Sequence, residues 1–305
     1  MATVLITGGT GLIGQALTKE LIAKGYEVII LSRKPGKEEK RDRLSYAQWD
    51  IEKQSIDGKA IQKADYIVHL AGANVAQGRW TDKRKKEILE SRTKSSGLIV
   101  KALSENQNKV KAVISASAIG FYGPDLVVPN PKPFVETDPA DNSFLGRSCE
   151  QWEAAIEPVI NLGKRLVKFR TGIVLSNNGG AYAEFKKPLN FGVASVLGTG
   201  KQIVSWIHII DIVGLYLFAI ENEKINGVYN AVTPNPVTNQ KLIEAMAREK
   251  KIAIPVKVPT FALKIALGEM SIEVLKSATV SSKKIEDAGY QFMFPGIEAA
   301  VGNLK

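Results

Sequence analysis

The segment Val4-Leu5-Ile6-Thr7-Gly8-Gly9-Thr10-Gly11-Leu12-Ile13-Gly14 decides the fold. Its first four residues are the short apolar, β-branched run of a buried strand. Beyond the glycines, Ile13, Leu17, Leu21 and Ile22 recur at helical spacing, and Gly25 ends that run. Gly8 permits a tight turn between the two elements, Gly11 lets the backbone approach a pyrophosphate, and Gly14 allows the helix to pack close on the sheet. The first turn of the helix offers unpaired N–H groups and a positive dipole end to an anion. Gly8, Thr10, Gly11, Leu12, Ile13 and Gly14 are therefore the candidate phosphate cradle of a dinucleotide. A tight turn without a ligand is the competing reading. The location of the loop, between a first strand and a first helix, favours the cradle.

Outward from this unit, strands and helices alternate. Strand patterns cover 27–33, 45–50, 65–71, 111–117 and 165–175, and helical patterns cover 81–103 and 144–160. Such alternation predicts an α/β fold of the Rossmann type, a doubly wound parallel sheet with helices on both faces. After Ser176 the alternation fails. Asn177-Asn178-Gly179-Gly180 and the glycines at 192, 198 and 200 read as long loops. Strand patterns at 205–210 and 227–231 flank a helix at 211–221, and helical patterns follow at 238–250, 261–267, 271–277 and 281–288. The expected division is a dinucleotide-binding domain of residues 1–176 and 202–232 beside a smaller, mainly helical lobe of residues 177–201 and 233–305.

Composition narrows the classes. The chain has 305 residues, 45% apolar and 24% charged, which suits a soluble protein with a sizeable core rather than a disordered or disulfide-stapled one. Lys and Arg outnumber Asp and Glu by 41 to 31, a surplus that permits nucleic acid, anionic lipid or a phosphorylated small molecule as partner without choosing among them. The cations are interspersed with Glu38, Glu39, Glu87 and Glu90, with no aromatic interleaving, so nucleic acid is not an expected partner. Cys149, His69 and His208 are too few for a Cys/His metal centre. The N-terminus lacks the pattern of a signal peptide, and the most apolar stretch, 212–220, is far shorter than the roughly 20 residues of a membrane helix. A cytoplasmic protein without membrane partners is expected.

A strand that follows such a glycine loop usually ends in Asp or Glu when it holds the ribose 2′-OH of NAD. Here it ends Ile30-Leu31-Ser32-Arg33, followed by Lys34. Two cations and a hydroxyl suit a 2′-phosphate, so NADP(H) is the expected cofactor. An exposed basic turn is the plainer alternative.

The glycine loop, His69-Leu70-Ala71-Gly72 at the fourth strand, and Ser115-Ala116-Ser117 followed by Tyr122-Gly123 resemble the short-chain dehydrogenase/reductase superfamily. Trp206-Ile207-His208-Ile209-Ile210-Asp211 and Gly227-Val228-Tyr229-Asn230 look like its extended, epimerase-like branch. Arg79-Trp80-Thr81, Ser91-Arg92, Gln151-Trp152-Glu153, Arg170-Thr171-Gly172 and Leu267-Gly268-Glu269 are similar to an atypical NADP-binding epimerase subfamily with a C-terminal domain of unknown function. The resemblance spans nearly the whole chain. It implies Ser32 and Arg33 at the adenosine phosphate, Leu70 and Ala71 along the adenosine half, and further cofactor contacts from Gly72, Glu87, Arg92 and Val174. A guanidinium such as Arg92 matches phosphate geometry.

The same resemblance exposes a departure. The superfamily carries Tyr-x-x-x-Lys on the helix after the fifth strand, where the Tyr transfers the substrate proton. Anchored on Trp152-Glu153, those positions fall on Leu145 and Cys149, which can do neither job. Ser117 matches a further element, the serine that binds the substrate oxygen, and Tyr122 is the nearest phenol. These two are the expected catalytic residues. His208 and Asp211 are read as a strand end and a helix N-cap, and Cys149 as packing. The implied function is an NADP(H)-dependent oxidoreductase or epimerase-like enzyme for a small carbonyl or sugar-like substrate. The alternative is a nucleotide-binding regulatory protein without turnover.

Overall fold

The computed structural model describes residues 1–33, 42–248 and 253–304. Thr3–Thr7 forms β1 and Leu12–Ala23 forms α1, with the glycine loop between them. There follow β2 (Glu27–Ser32), β3 (Leu44–Asp50), β4 (Ser55–Ile56), α2 (Gly58–Lys63), β5 (Tyr66–His69), α3 (Asp82–Glu105), β6 (Ala112–Ala118), α4 (Phe144–Ile156) and β7 (Arg165–Thr171). After β8 (Ile173–Leu175) come α5 (Gly180–Leu189), β9 (Val193–Leu197), β10 (Ile203–Val204), β11 (Trp206–His208), α6 (Ile209–Glu221) and β12 (Gly227–Ala231). The remainder is β13 (Val237–Thr238), α7 (Asn239–Arg248), β14 (Ile254–Val258), α8 (Thr260–Leu267), α9 (Ser271–Leu275), α10 (Lys283–Asp287) and α11 (Ile297–Asn303).

Eight strands make the main sheet in the order β12-β7-β6-β5-β1-β2-β3-β4. Every pair is parallel except β3 with β4. Strand residues alternate between two cores, because successive side chains point to opposite faces. Val4, Ile6, Val28, Ile30 and Val68 pack with α1 and α6, while Leu5, Ile29, Leu31 and Ile67 pack with α2 and α3. The strand order reverses at β1, between β2 and β5. That opens the crevice where dinucleotides bind, at the carboxyl ends of the strands.

Three expectations about elements need correction. The strand expected over 165–175 breaks at Gly172, where a Cβ would sit 2.6 Å from the Ser205 carbonyl oxygen, and β8 pairs instead with β11. The stretch read as loops after Ser176 contains α5 and β9, and β9 pairs with β14 in a parallel ribbon. The helix expected to start at Asp211 starts at Ile209, with His208 as its N-cap. A third core joins α5, β9, α7 and α11 through Tyr182, Val196, Leu242 and Val301. The chain then returns to the main sheet, where Ile285 and Tyr290 pack with Leu215 and Tyr229.

Candidate cofactor cleft

The glycine loop is built so that only backbone fits. Gly8 has φ +68°, a left-handed value that favours glycine, and a Cβ there would lie 2.8 Å from the Leu70 carbonyl carbon. A Cβ on Gly14 would lie 2.3 Å from the Gly8 oxygen. Gly11 is the N-cap of α1; no side chain caps the helix and no acidic residue stands in its first turn. A terminus with its N–H groups uncapped and unopposed fits a phosphate. Gly180 comes close as well, since a Cβ there would be 3.3 Å from Leu12 and 3.7 Å from the Val174 oxygen. Val174 therefore lies beside the cradle.

The end of β5 is fixed to the loop by a buried histidine. Thr7 Oγ1 accepts the N–H groups of Leu70 (3.1 Å) and Ala71 (3.2 Å). Its own proton then goes to His69 Nδ1 at 2.7 Å, which leaves Nε2 protonated and donating to Ser96 Oγ at 3.1 Å. Burial pushes the His69 pKa down to about 3, with the Arg92 charge adding to the fall, so the ring is neutral. Leu70 is half-buried, Ala71 buried and Gly72 exposed at the rim. Ser32 closes β2 and Arg33 is exposed just beyond it, whereas Lys34 lies outside the described residues. Glu87 is exposed on α3 and ion-paired with Arg84 at 2.6 Å.

Arg92 reaches in from α3. Its Nη1 donates to the carbonyls of Ala73 (3.1 Å) and Ile88 (2.9 Å), and its Cζ lies 4.9 Å from the Trp152 ring of α4. One turn before Trp152, the Cys149 thiol is buried and pushed up to about 12 by that burial, with Arg92 the largest opposing influence. Such a thiol is inert at neutral pH. Leu145 and Cys149 both pack against Gly120, where a Cβ would meet them at 3.3 and 3.8 Å.

The two expected catalytic hydroxyls sit in a closed polar network. Ser117 Oγ donates to Glu153 at 2.6 Å. Arg170 binds the same carboxylate in bidentate fashion, Nε to Oε1 at 2.8 Å and Nη2 to Oε2 at 3.0 Å. Arg170 Nη1 donates to the Tyr122 oxygen (2.9 Å), and Tyr122 donates to Asn230 Oδ1 (2.7 Å). Asn230 in turn takes Glu136 and the Ser281 carbonyl as partners. The Phe121 ring lies 3.4 Å from the guanidinium and Phe134 stacks on Tyr122. Tyr122 is 0% and Ser117 3% exposed. Burial raises the Tyr122 pKa to about 12, despite opposition from Arg170. The structure thus brings Ser117 and Tyr122 together, but in the interior, with both hydroxyls occupied.

In the sequence, Glu153, Arg170 and Asn230 stand in family-like motifs without an expected role. The available signal was a cation inside a buried strand, since such a group is paired. His208 and Asp211 are separated in role. His208 Nδ1 accepts the Ile210 N–H, and Asp211 accepts the N–H groups of Met293 (2.7 Å) and Phe294 (3.0 Å). Burial lowers the His208 pKa to about 4 and raises that of Asp211. Asp211 is therefore an anchor for the returning chain rather than an N-cap. Asp125 does similar work after β6, binding Ser277 and Thr279 at 2.8 Å, while Lys276 donates to the Tyr122 carbonyl at 3.2 Å. Among the described residues no group of His, Cys, Asp and Glu could hold a metal ion, and no helix is long and apolar enough to cross a membrane.

Comparison with known proteins agrees with this geometry. Residues 4–146 match the NAD dependent epimerase/dehydratase family, and residues 258–304 match a domain of unknown function, DUF1731. Epimerase family protein YfhF of Bacillus subtilis is 34% identical over 302 residues, which is 99% of this chain and 97% of that protein. Epimerase family protein SAR0825 of Staphylococcus aureus is 34% identical over 304 residues, 100% and 99% of the two chains. Among solved structures, human epimerase family protein SDR39U1 with NADPH superposes with a TM-score of 0.87 at 30% identity, covering 99% of this chain and 98% of that one. A UDP-N-acetylglucosamine 4-epimerase from Bacillus cereus shares the fold at 17% identity and a TM-score of 0.76, over 100% and 98% of the chains. With a glycine cradle at the strand reversal and relatives matched along its whole length, the chain belongs to the NAD dependent epimerase/dehydratase family and ends in a DUF1731 domain.

Proposed function

We propose that this protein binds NADP(H) and acts as an oxidoreductase or epimerase-like enzyme on a small carbonyl or sugar-like substrate. One observation carries the reading: an uncapped, acid-free α1 terminus stands beside a β2 that closes on Ser32 and is followed by Arg33, with a carboxylate at neither position. Gly8, Thr10, Gly11, Leu12, Ile13 and Gly14 hold the pyrophosphate, and Ser32 with Arg33 hold the 2′-phosphate. Leu70 and Ala71 line the adenosine half, and Gly72 and Val174 make further cofactor contacts. The NADPH present in the human relative supports this choice of dinucleotide. When bound, the cofactor supplies or accepts the hydride. Without Tyr and Lys on α4, Ser117 and Tyr122 serve as the framework that fixes the β6 loop under the substrate, rather than as proton donors. The site acts on its substrate in a reducing, cytoplasmic setting.

Competitive titration tests the proposal. NADPH should bind more tightly than NADH, and Arg33→Ala should remove most of the gap, about 1.5–3 kcal/mol for a charged hydrogen bond. Equal affinities in the unmodified protein count against NADP(H). A second reading, a nucleotide-binding regulatory protein, draws on the occupied hydroxyls of Ser117 and Tyr122. NADPH oxidation with a panel of small carbonyl compounds separates the two: turnover supports the enzyme, and tight binding without turnover supports the regulator.

A further inference from the structure

With the pyrophosphate at α1 and the adenosine over β2, the nicotinamide and its substrate fall on the other side of the strand reversal, over the ends of β5 and β6. The turn Ile119–Phe121 closes β6 there. From one side, α4 meets this turn without a charge, through Leu145 and the Cys149 thiol. From the other side comes a cation. Lys276, just beyond α9 in the DUF1731 domain, donates from Nζ to the Tyr122 carbonyl at 3.2 Å. Its charge is felt at the Cys149 thiol, which burial raises while Arg92 and Lys276 oppose the rise.

The ammonium is costly to place here. Its side chain is 9% exposed, and lysine is seldom buried unless paired. Glu273, one turn earlier on α9, pairs with it at 2.6 Å. Asp141 is a second neighbour, its carboxyl held below the usual range by hydrogen bonds from Ser143 first and by the Lys276 charge as well. The backbone is fixed at this point. The Asp125 N–H donates to the Ser277 carbonyl at 2.8 Å, and Ser277 Oγ donates to Asp125 while it accepts the Ile203 N–H, both at 2.8 Å.

An ammonium has three donors, and the Tyr122 carbonyl and Glu273 take two of them. Among the described residues the third has no protein acceptor, although groups this buried are ordinarily paired. Two carboxylates already balance the charge. A third anion would be repelled by them, so the remaining N–H suits a neutral acceptor.

We propose that Lys276 is a substrate-binding residue whose remaining N–H holds the carbonyl oxygen of an uncharged aldehyde or ketone. A donor fixed at that oxygen stabilises the negative charge that develops there. The DUF1731 domain thereby supplies the cation that α4 lacks, and it selects neutral carbonyl compounds over oxo acids. This inference rests on the NADP(H) reading and names the substrate class of the same site.

Isotope-edited infrared spectroscopy tests it, with the protein in its NADP+ complex and acetophenone labelled with carbon-13 at the carbonyl as the probe. The C=O stretch of the bound probe should fall below its value in water, because a charge-assisted hydrogen bond is the stronger one. Lys276→Met should abolish that shift and Lys276→Arg should keep part of it, with NADPH affinity unchanged in both. Benzoylformate, which carries a carboxylate in place of the methyl group, should bind about tenfold more weakly than acetophenone in titration calorimetry. No shift in the unmodified complex, or an equal shift in Lys276→Met, overturns the proposal. Tighter binding of benzoylformate overturns it in favour of an anion site.

The unmodified protein gives a second readout if the variants do not fold. Acetylation by acetic anhydride, followed at the Lys276 peptide by mass spectrometry, should be slowed by saturating acetophenone. An unchanged rate contradicts the assignment. Failure of the unmodified protein to bind NADP+ or NADPH removes the NADP(H) reading and this inference with it. Cofactor binding without any effect of the probe at Lys276 removes only this inference.

Discussion

The two ends of the crevice use polar groups in opposite ways. Around α1, the backbone is shaped by Gly8 and Gly14, the helix terminus is uncapped, and Arg33 is exposed. Around β6 and α4, Ser117, Tyr122, Glu153, Arg170 and Asn230 satisfy one another beneath Phe121 and Phe134. Unmatched donors at a surface invite a ligand, whereas a closed buried network specifies a single packing. The difference teaches that a motif match gives a side chain its place along the chain but not whether it meets solvent or is bound within the interior. The α1 terminus stands uncapped behind its glycine loop, while the Ser117 and Tyr122 hydroxyls are bonded within the interior.

The contrast is broken most severely at Glu153. Glu153→Ala leaves the buried Arg170 without its carboxylate and should cost about 3–5 kcal/mol in denaturant unfolding. A loss under 1 kcal/mol would mean that water reaches this network and that it is not closed. Acid should act next, through the neutral histidines. His69 titrates near 3 when folded against 6.5 in the unfolded chain, so the unfolded state takes up a proton first as the pH falls below 6.5. Stability should therefore fall between pH 6.5 and 3 by up to about 1.4 kcal/mol per pH unit for this residue. His69→Gln should flatten that slope in pH-dependent melts.

At the open end, Gly14→Ala forces the loop and helix apart and should weaken NADPH binding by 10- to 100-fold, the scale of about 1–3 kcal/mol of overpacking. Full affinity in that variant would move the phosphates elsewhere. Tyr122→Phe removes a bond to Asn230 and one from Arg170, and should lower stability by about 1–3 kcal/mol while NADPH affinity stays unchanged. A large fall in turnover at unchanged stability would instead restore Tyr122 as the proton donor. Smallest of all, Cys149→Ala should leave NADPH affinity and any turnover within about tenfold, because the thiol is protonated packing.

The open end was legible in the sequence because its chemistry is local. The cradle and the strand and helix that hold it lie within Thr3–Ala23, and the missing acid follows at Ser32-Arg33. The closed end was not. Glu153 and Arg170 lie 17 residues apart on a helix and a strand, and Tyr122 and Asn230 lie 108 apart. Spacing carries no trace of such a pairing. Ser117 was correctly placed at the end of β6, but strand alternation turns it toward Glu153. Elsewhere, Pro255 and Lys257 disguise β14, whose exposed edge needs no run of apolar residues. The glycines at 179 and 180 hide the start of α5, and the bonds from Met293 and Phe294 to Asp211 are contacts over 82 and 83 residues.

A crystal structure of the protein with NADPH tests the central claim most directly. The account predicts the pyrophosphate on the Leu12, Ile13 and Gly14 amides and the 2′-phosphate at Arg33, with the Tyr122 hydroxyl still bonded to Asn230. A complex in which Tyr122 leaves Asn230 to face the nicotinamide, or in which the pyrophosphate lies away from α1, would contradict it.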